Sequence, residues 1–259
     1  MTYETIKVQF EESVCFVQID RPEANNTING RLVAECNHVL SVCEESATIV
    51  VLSGSTQVFC SGADFNAIAS TSQKAVEQDV DPGPLYDLWL RLATGPYVTI
   101  SHVRGKANAG GLGFVAASDI VLANETAQFS LSELLFGLYP ACVLPFLIRR
   151  IGFQRAHYLT LMTQPISAWQ AHEWGLVDAF EPLSETLLRR HLQRLQRLSK
   201  TAIRRYKVYM SRTAVALEAL KAPAVAANRE IFSDIANLQA ITRYVEKGVF
   251  PWEQSAAAR

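Results

Sequence analysis

Two short glycine-bearing stretches and one carboxylate are the parts of this chain best suited to chemistry. Val58-Phe59-Cys60-Ser61-Gly62-Ala63-Asp64-Phe65 and Gly105-Lys106-Ala107-Asn108-Ala109-Gly110-Gly111-Leu112-Gly113 each follow an apolar run and lead into a helix-like one. Small residues at a strand-to-helix turn let a ligand approach the backbone and leave N–H groups aimed into a pocket. Two such turns brought together can form an oxyanion hole. Each alone is also what a plain strand-to-helix connection looks like, and neither matches a dinucleotide or nucleotide-phosphate loop. The carboxylate is Glu133, in Phe129-Ser130-Leu131-Ser132-Glu133-Leu134-Leu135-Phe136-Gly137. Apolar neighbours would desolvate it and raise its pKa, which suits a group that both takes and returns a proton. A glutamate there can equally cap a helix or pair with an arginine.

These residues need a frame. Over residues 5–20, Ile6, Val8 and Phe10 alternate with polar neighbours before Val14, Phe16, Val17 and Ile19, which predicts a hairpin turned at Glu11–Ser13. Asn25-Asn26-Thr27-Ile28-Asn29 carries helix-start chemistry, and a helix is expected to about Cys43. The apolar runs Thr48–Gly54, Tyr97–Val103 and Ile120–Ala123 read as buried parallel strands. Ser70–Pro84 is polar and unperiodic, a long loop or lid, followed by a lid helix over Leu85–Leu92. From Leu183 to Met210 leucines among arginines make one amphipathic helix. A stripe at Ile231, Ile235, Leu238 and Ile241 then precedes Phe250-Pro251-Trp252, which can dock on a neighbouring subunit or on its own chain. The expected organisation is an α/β core over residues 1–195 and a helical region over 196–259.

Composition narrows the function. With 24 Lys+Arg against 25 Asp+Glu, the 259-residue chain has no basic footprint for nucleic acid. It lacks an apolar run of membrane-spanning length and begins without a signal-peptide pattern, so a cytoplasmic protein is expected. Cys15, Cys36, Cys43, Cys60 and Cys142 form no CxxC pair and read as free thiols. His38, His102, His157, His172 and His191 show no metal spacing, so neither metal nor cofactor is expected.

Taken together, FCSGADF, the AGGLG segment with ASDIVLANETAQFSLSE after it, and the opening RPEANNTIN resemble the enoyl-CoA hydratase/isomerase superfamily, the crotonases. The combination is highly specific and covers the chain from about residue 5 to 180, and more loosely to its end. The resemblance implies a crotonase-like spiral of ββα turns and a helical C-terminal region used for trimerisation, with homotrimers or hexamers as assemblies. It also implies an oxyanion hole whose two N–H donors fall on Ala63 and Gly110, with Glu133 as catalytic acid and base. Substrate contacts are expected from Ala24, Gly62, Asp64, Tyr86 and Gly111. Asp64 is alternatively a helix cap, and Tyr86 alternatively a packed core tyrosine. The hole has a clear physical purpose. A thioester that loses its α-proton pushes charge onto its carbonyl oxygen, and each fixed donor there contributes about 3–4 kcal/mol.

Hydratases of this superfamily carry two glutamates, and here the first position is Gly113. One carboxylate suffices for double-bond isomerisation or for syn elimination of a β-hydroxyl. A finer likeness, in the opening MTYETIKVQFEESVCFVQIDRPEANNTIN, in DPGPLYDLWLRL and in SELLFGLYPACVLPFLIRRIGFQRA, is to the dehydratases of polyketide β-branching cassettes. It implies a lyase converting 3-hydroxy-3-methylglutaryl on an acyl carrier protein to the 3-methylglutaconyl thioester. Glu23 stands where many CoA-using relatives have lysine, and an acid there would repel CoA phosphates. The alternatives are an enoyl-CoA isomerase or hydratase, and a non-catalytic subunit that grips an acyl carrier protein.

Overall fold

The computed structural model describes residues 3–72, 81–213 and 217–253. Strands β1 (Ile6–Glu11) and β2 (Val14–Ile19) form the expected hairpin, with Glu12 at φ 51° in its turn. A 3-10 turn at Pro22–Ala24 leads to helix α1 (Gly30–Ser46), which passes the expected Cys43 end. The Asn29 side chain starts it by accepting the Leu32 N–H.

A three-part unit then recurs. β3 (Ile49–Ser53) and β4 (Val58–Cys60) precede helix α2 (Phe65–Ser72). After helix α3 (Gly83–Thr94), β5 (Val98–Val103) and β6 (Lys106–Asn108) precede α4 (Gly111–Ala117). β7 (Ile120–Asn124) and β8 (Gln128–Ser130) precede a 3-10 turn at Glu133–Phe136. In each unit the first strand joins one sheet and the second joins another, so the chain winds as the expected spiral of ββα turns. The larger sheet has the order β1-β2-β3-β5-β7-β10, parallel from β2 onward. The smaller has the order β4-β6-β8-β9, with β9 antiparallel. Helices α5 (Leu144–Ile151), α6 (Phe153–Met162) and α7 (Ala168–Glu173) lie around β9 (Ile166–Ser167) and before β10 (Ala179–Glu181).

The apolar runs are continuous because the larger sheet is covered on both faces. Val50 and Leu52 share a core with Leu32, Leu40 and Trp89, while Ile49, Val51, Ile100 and Leu122 pack with Leu187 on the opposite face. Leu187 belongs to α8 (Ser184–Leu195).

Four sequence expectations are corrected. Leu85–Leu92 lies within α3 and is no lid: Tyr86, Leu88, Trp89 and Leu92 are buried. Of Ser70–Pro84, α2 extends to Ser72 and residues 73–80 lie outside the described ones. The single helix expected over Leu183–Met210 is two, α8 and α9 (Lys200–Thr213). Ser199 restarts the helix by accepting the Ala202 N–H at 3.2 Å, which turns the second helix onto the core. There Lys207 Nζ contacts both Asp119 oxygens at 2.6 Å. The C-terminal stripe also divides. Asp234 ends α10 (Leu217–Ser233) and caps α11 (Ile235–Lys247), so Ile231 and Ile241 are buried while Ile235 is 71% exposed. Phe250 meets Phe136 and Tyr244 of its own chain, with ring centres 6.0 and 4.7 Å apart. Among the described residues no helix is long and apolar enough to cross a membrane.

Candidate active site

β4 and β6 are parallel neighbours, so the turns that follow them emerge side by side. The first turn is made by Gly62 at φ +88°, a conformation that favours glycine. In the second, Ala109 takes φ 52° and leads to Gly110. The two are in contact: a Cβ on Gly62 would lie 2.6 Å from Ala109 Cβ and 3.1 Å from the Gly110 nitrogen. Gly111 packs equally closely on the first turn, where a Cβ would meet the Cys60 carbonyl oxygen at 2.4 Å. Among the described residues, no turn, loop or cap acceptor takes the Ala63 or the Gly110 N–H.

The loop at Arg21–Ile28 holds the first turn from outside. Ile28 N–H donates to Gly62 O at 2.7 Å, and Ile28 forms a parallel bridge with Ala63. Asn26 Nδ2 donates to Val58 O at 2.9 Å. Arg21 reaches across to Asp64 at 3.0 Å, with both side chains largely shielded from solvent. Asp64 also accepts the Ala67 N–H at 3.2 Å, so it is a cap and an ion-pair partner. Ala24 sits in the same loop, its carbonyl accepting the Thr27 N–H at 3.0 Å. Glu23 is exposed, 3.9 Å from Arg21.

The second turn is tied to Glu133. Ala109 N–H donates to Ser130 O at 3.0 Å, Ser130 Oγ donates to Asn108 Oδ1 at 2.8 Å, and Asn108 Nδ2 donates to Ser132 Oγ at 2.9 Å. This ladder fixes the chain up to the residue before Glu133. From there Glu133 opens the 3-10 turn, which Gly137 closes at φ +76°. Asn237 of α11 clamps that end, donating to the Gly137 carbonyl at 3.3 Å. Oε2 of Glu133 is buried and, among the described residues, meets no hydrogen-bond donor. Burial pushes its pKa up to about 7, only partly opposed by the backbone N–H groups of Glu133 and Ser132. A carboxyl half-ionised near neutrality can exchange a proton in both directions.

Other expected residues have different engagements. Tyr86 is buried and its hydroxyl donates to Leu217 O at 2.6 Å, so the packed alternative describes it. Cys60 is buried and its thiol is pushed up to about 12 by desolvation, which keeps it protonated. A surface groove of about 650 Å³ by Tyr3, Lys7 and His38 shares no lining residue with these turns.

Sequence reasoning missed the Asn108 ladder, the Arg21–Asp64 pair and Trp89. A Cβ on Gly113 would meet Trp89 Cζ2 at 2.3 Å and Cε2 at 2.4 Å, so this ring fills the space of any side chain at position 113. The available signal was the pairing of a glycine on α4 with a tryptophan one helical step from Tyr86.

Residues 9–255 match the enoyl-CoA hydratase/isomerase family. The chain is 60% identical over 254 residues to the bacillaene synthase dehydratase PksH of Bacillus subtilis, covering 98% of each. It is 31% identical to the 2,3-dehydroadipyl-CoA hydratase of Escherichia coli over 183 residues, 70% of each chain. The crystal structure of B. subtilis PksH superposes with a TM-score of 0.95, covering 96% of this chain and 100% of that one. An enoyl-CoA hydratase/isomerase structure from Xanthobacter autotrophicus, 21% identical, shares the fold at a TM-score of 0.84 over 99% of this chain and 97% of that one.

Proposed function

The chain belongs to the enoyl-CoA hydratase/isomerase family, the crotonases, and on that premise we propose that it is a lyase dehydrating a β-hydroxyacyl thioester, 3-hydroxy-3-methylglutaryl on an acyl carrier protein. The observation that carries this is the Glu133 carboxyl, which among the described residues has a buried oxygen with no hydrogen-bond donor, together with a position 113 whose side-chain space is filled by Trp89. Ala63 and Gly110 N–H groups receive the thioester oxygen. Glu133 takes the α-proton, the electron pair forms the α–β double bond, and the C–O bond breaks. The same carboxyl then protonates the departing hydroxide, releasing water and returning to its ionised form. Removing the α-proton and returning it to the leaving oxygen on one face needs one acid–base group. Kinship with a dehydratase named for bacillaene synthase supports a carrier-bound substrate. Exposed Glu23 disfavours the extra phosphates of CoA.

The test is to load the acyl carrier protein with 3-hydroxy-3-methylglutaryl and follow intact mass. Loss of one water with the native chain, and none with Glu133→Gln, is expected. Unchanged turnover by Glu133→Gln would end the proposal. Rapid conjugation of a 3-enoyl-CoA with no dehydration of the carrier substrate would make the protein an isomerase. The trimer through the helical C-terminal region belongs to the same proposal; sedimentation of the full chain tests it.

A further inference from the structure

Trp89 is 1% exposed, yet among the described residues its indole Nε1 has no acceptor. A buried donor left unpaired costs about 1–3 kcal/mol, so such a group calls for an explanation. Phe114 and Phe146 pack against the ring at steep angles, with centres 5.9 and 6.0 Å away, and their side chains offer no acceptor. The position of the ring supplies the explanation. Gly113 follows Gly110 by three residues on α4, so the two lie on one side of the helix. They are separated by about 4.5 Å along its axis, the span of a few acyl bonds. Cε2, the ring atom bonded to Nε1, is among those that crowd position 113. The unspent donor therefore lies against position 113, one helical step along α4 from the oxyanion turn.

We infer that the Trp89 indole N–H is held for the oxygen on the β-carbon of the bound acyl chain, donating one hydrogen bond to the hydroxyl that leaves. This rests on the lyase assignment above. The thioester oxygen already has two backbone donors. A distal carboxylate buried against aromatic rings would need a cation or several donors, whereas one neutral N–H suits a neutral hydroxyl. The same bond strengthens as charge develops on the departing oxygen, before Glu133 delivers its proton.

The test is a binding cycle in the Glu133→Gln background, where ligand is not consumed. Pantetheine thioesters of 3-hydroxy-3-methylglutarate and of 3-methylglutarate, which lacks the hydroxyl, are titrated by calorimetry. Trp89 is native, Trp89→Phe, or replaced by 3-benzothienylalanine, which keeps the ring shape and lacks the N–H. With native Trp89 the hydroxylated ligand should bind about tenfold tighter, and both replacements should reduce that preference to within about twofold. The Trp89 indole N–H resonance should move downfield with the hydroxylated ligand alone. A benzothienyl variant that keeps the preference, or a resonance that moves equally with both ligands, overturns the inference. The lyase assignment fails separately: no water loss in the Glu133 protein, beside a persisting preference that needs the indole N–H, removes that assignment and supports the Trp89 bond.

Discussion

Gly62 lies against Gly110 so closely that a Cβ on the first would stand 3.1 Å from the backbone nitrogen of the second. Two turns far apart in sequence thus form one rigid seat, and their amide geometry stands or falls together. Gly62→Ala must strain a φ of +88° and strike Ala109 Cβ at 2.6 Å. The expected result is about 1–3 kcal/mol lower stability and kcat reduced about 10²-fold. Thermal unfolding and turnover check this; native kcat in a folded variant contradicts the oxyanion assignment.

Glu133 must be ionised to take the α-proton. With its carboxyl pushed up to about 7, kcat/KM should fall as pH drops below that value and level off above it. Glu133→Gln should lower the rate by about 10²–10⁴-fold and abolish that acid limb. A rate–pH profile of both proteins is the measurement.

The same carboxyl makes stability depend on pH, with a defined sign. Its folded value of about 7 exceeds the ordinary 4.5, so its favourable contribution is complete below about pH 4.5 and lost as pH rises through 7. The loss is at most ~3 kcal/mol, at ~1.4 kcal/mol per pH unit. Glu133→Gln, which never ionises, should be more stable than the native chain at pH 8 and equal to it near pH 4. Denaturant titrations at the two pH values decide it; parity at pH 8 contradicts burial of the ionised group.

Gly113→Glu restores an acid to the sequence position where two-glutamate relatives have one, but the space is occupied. Overpacking against Trp89 at 2.3 Å should cost about 1–3 kcal/mol, and no hydration of a simple enoyl thioester should appear. Paired with Trp89→Ala, the stability loss should be less than the sum of the single losses. Additive losses would mean that the two positions do not touch.

Much of the frame was legible in the sequence because it rests on local signals. Alternation gave the β1–β2 hairpin, Asn29 gave the start of α1, and unbroken apolar runs gave strands covered on both faces. The break between α8 and α9 was hidden because Gln196–Ser199 contains neither glycine nor proline; only the Ser199 cap marks it. Gly62, Gly110 and Glu133 stood out by residue type and by family strings. What joins them did not, because Asn108, Ser130 and Ser132 are ordinary polar residues whose pairing depends on sheet register. Tyr86 carries a conspicuous hydroxyl in the sequence, whereas nothing local marks Trp89 on the same helix. Only packing shows that Tyr86 has spent its hydroxyl on Leu217 while Trp89 has spent nothing.

The turn that carries Glu133 is braced by residues made late in translation: Asn237 at Gly137, and Ile231, Ile241, Tyr244 and Phe250 around Phe136. A ribosome that has finished both sheets has therefore not yet finished the enzyme. The strands of the spiral are all complete in sequence while Glu133 still lacks that brace. A chain cut short before α11 would keep both sheets in sequence yet lack Asn237, Ile241, Tyr244 and Phe250 against the Glu133 turn, so an intact spiral is not by itself evidence of an intact site.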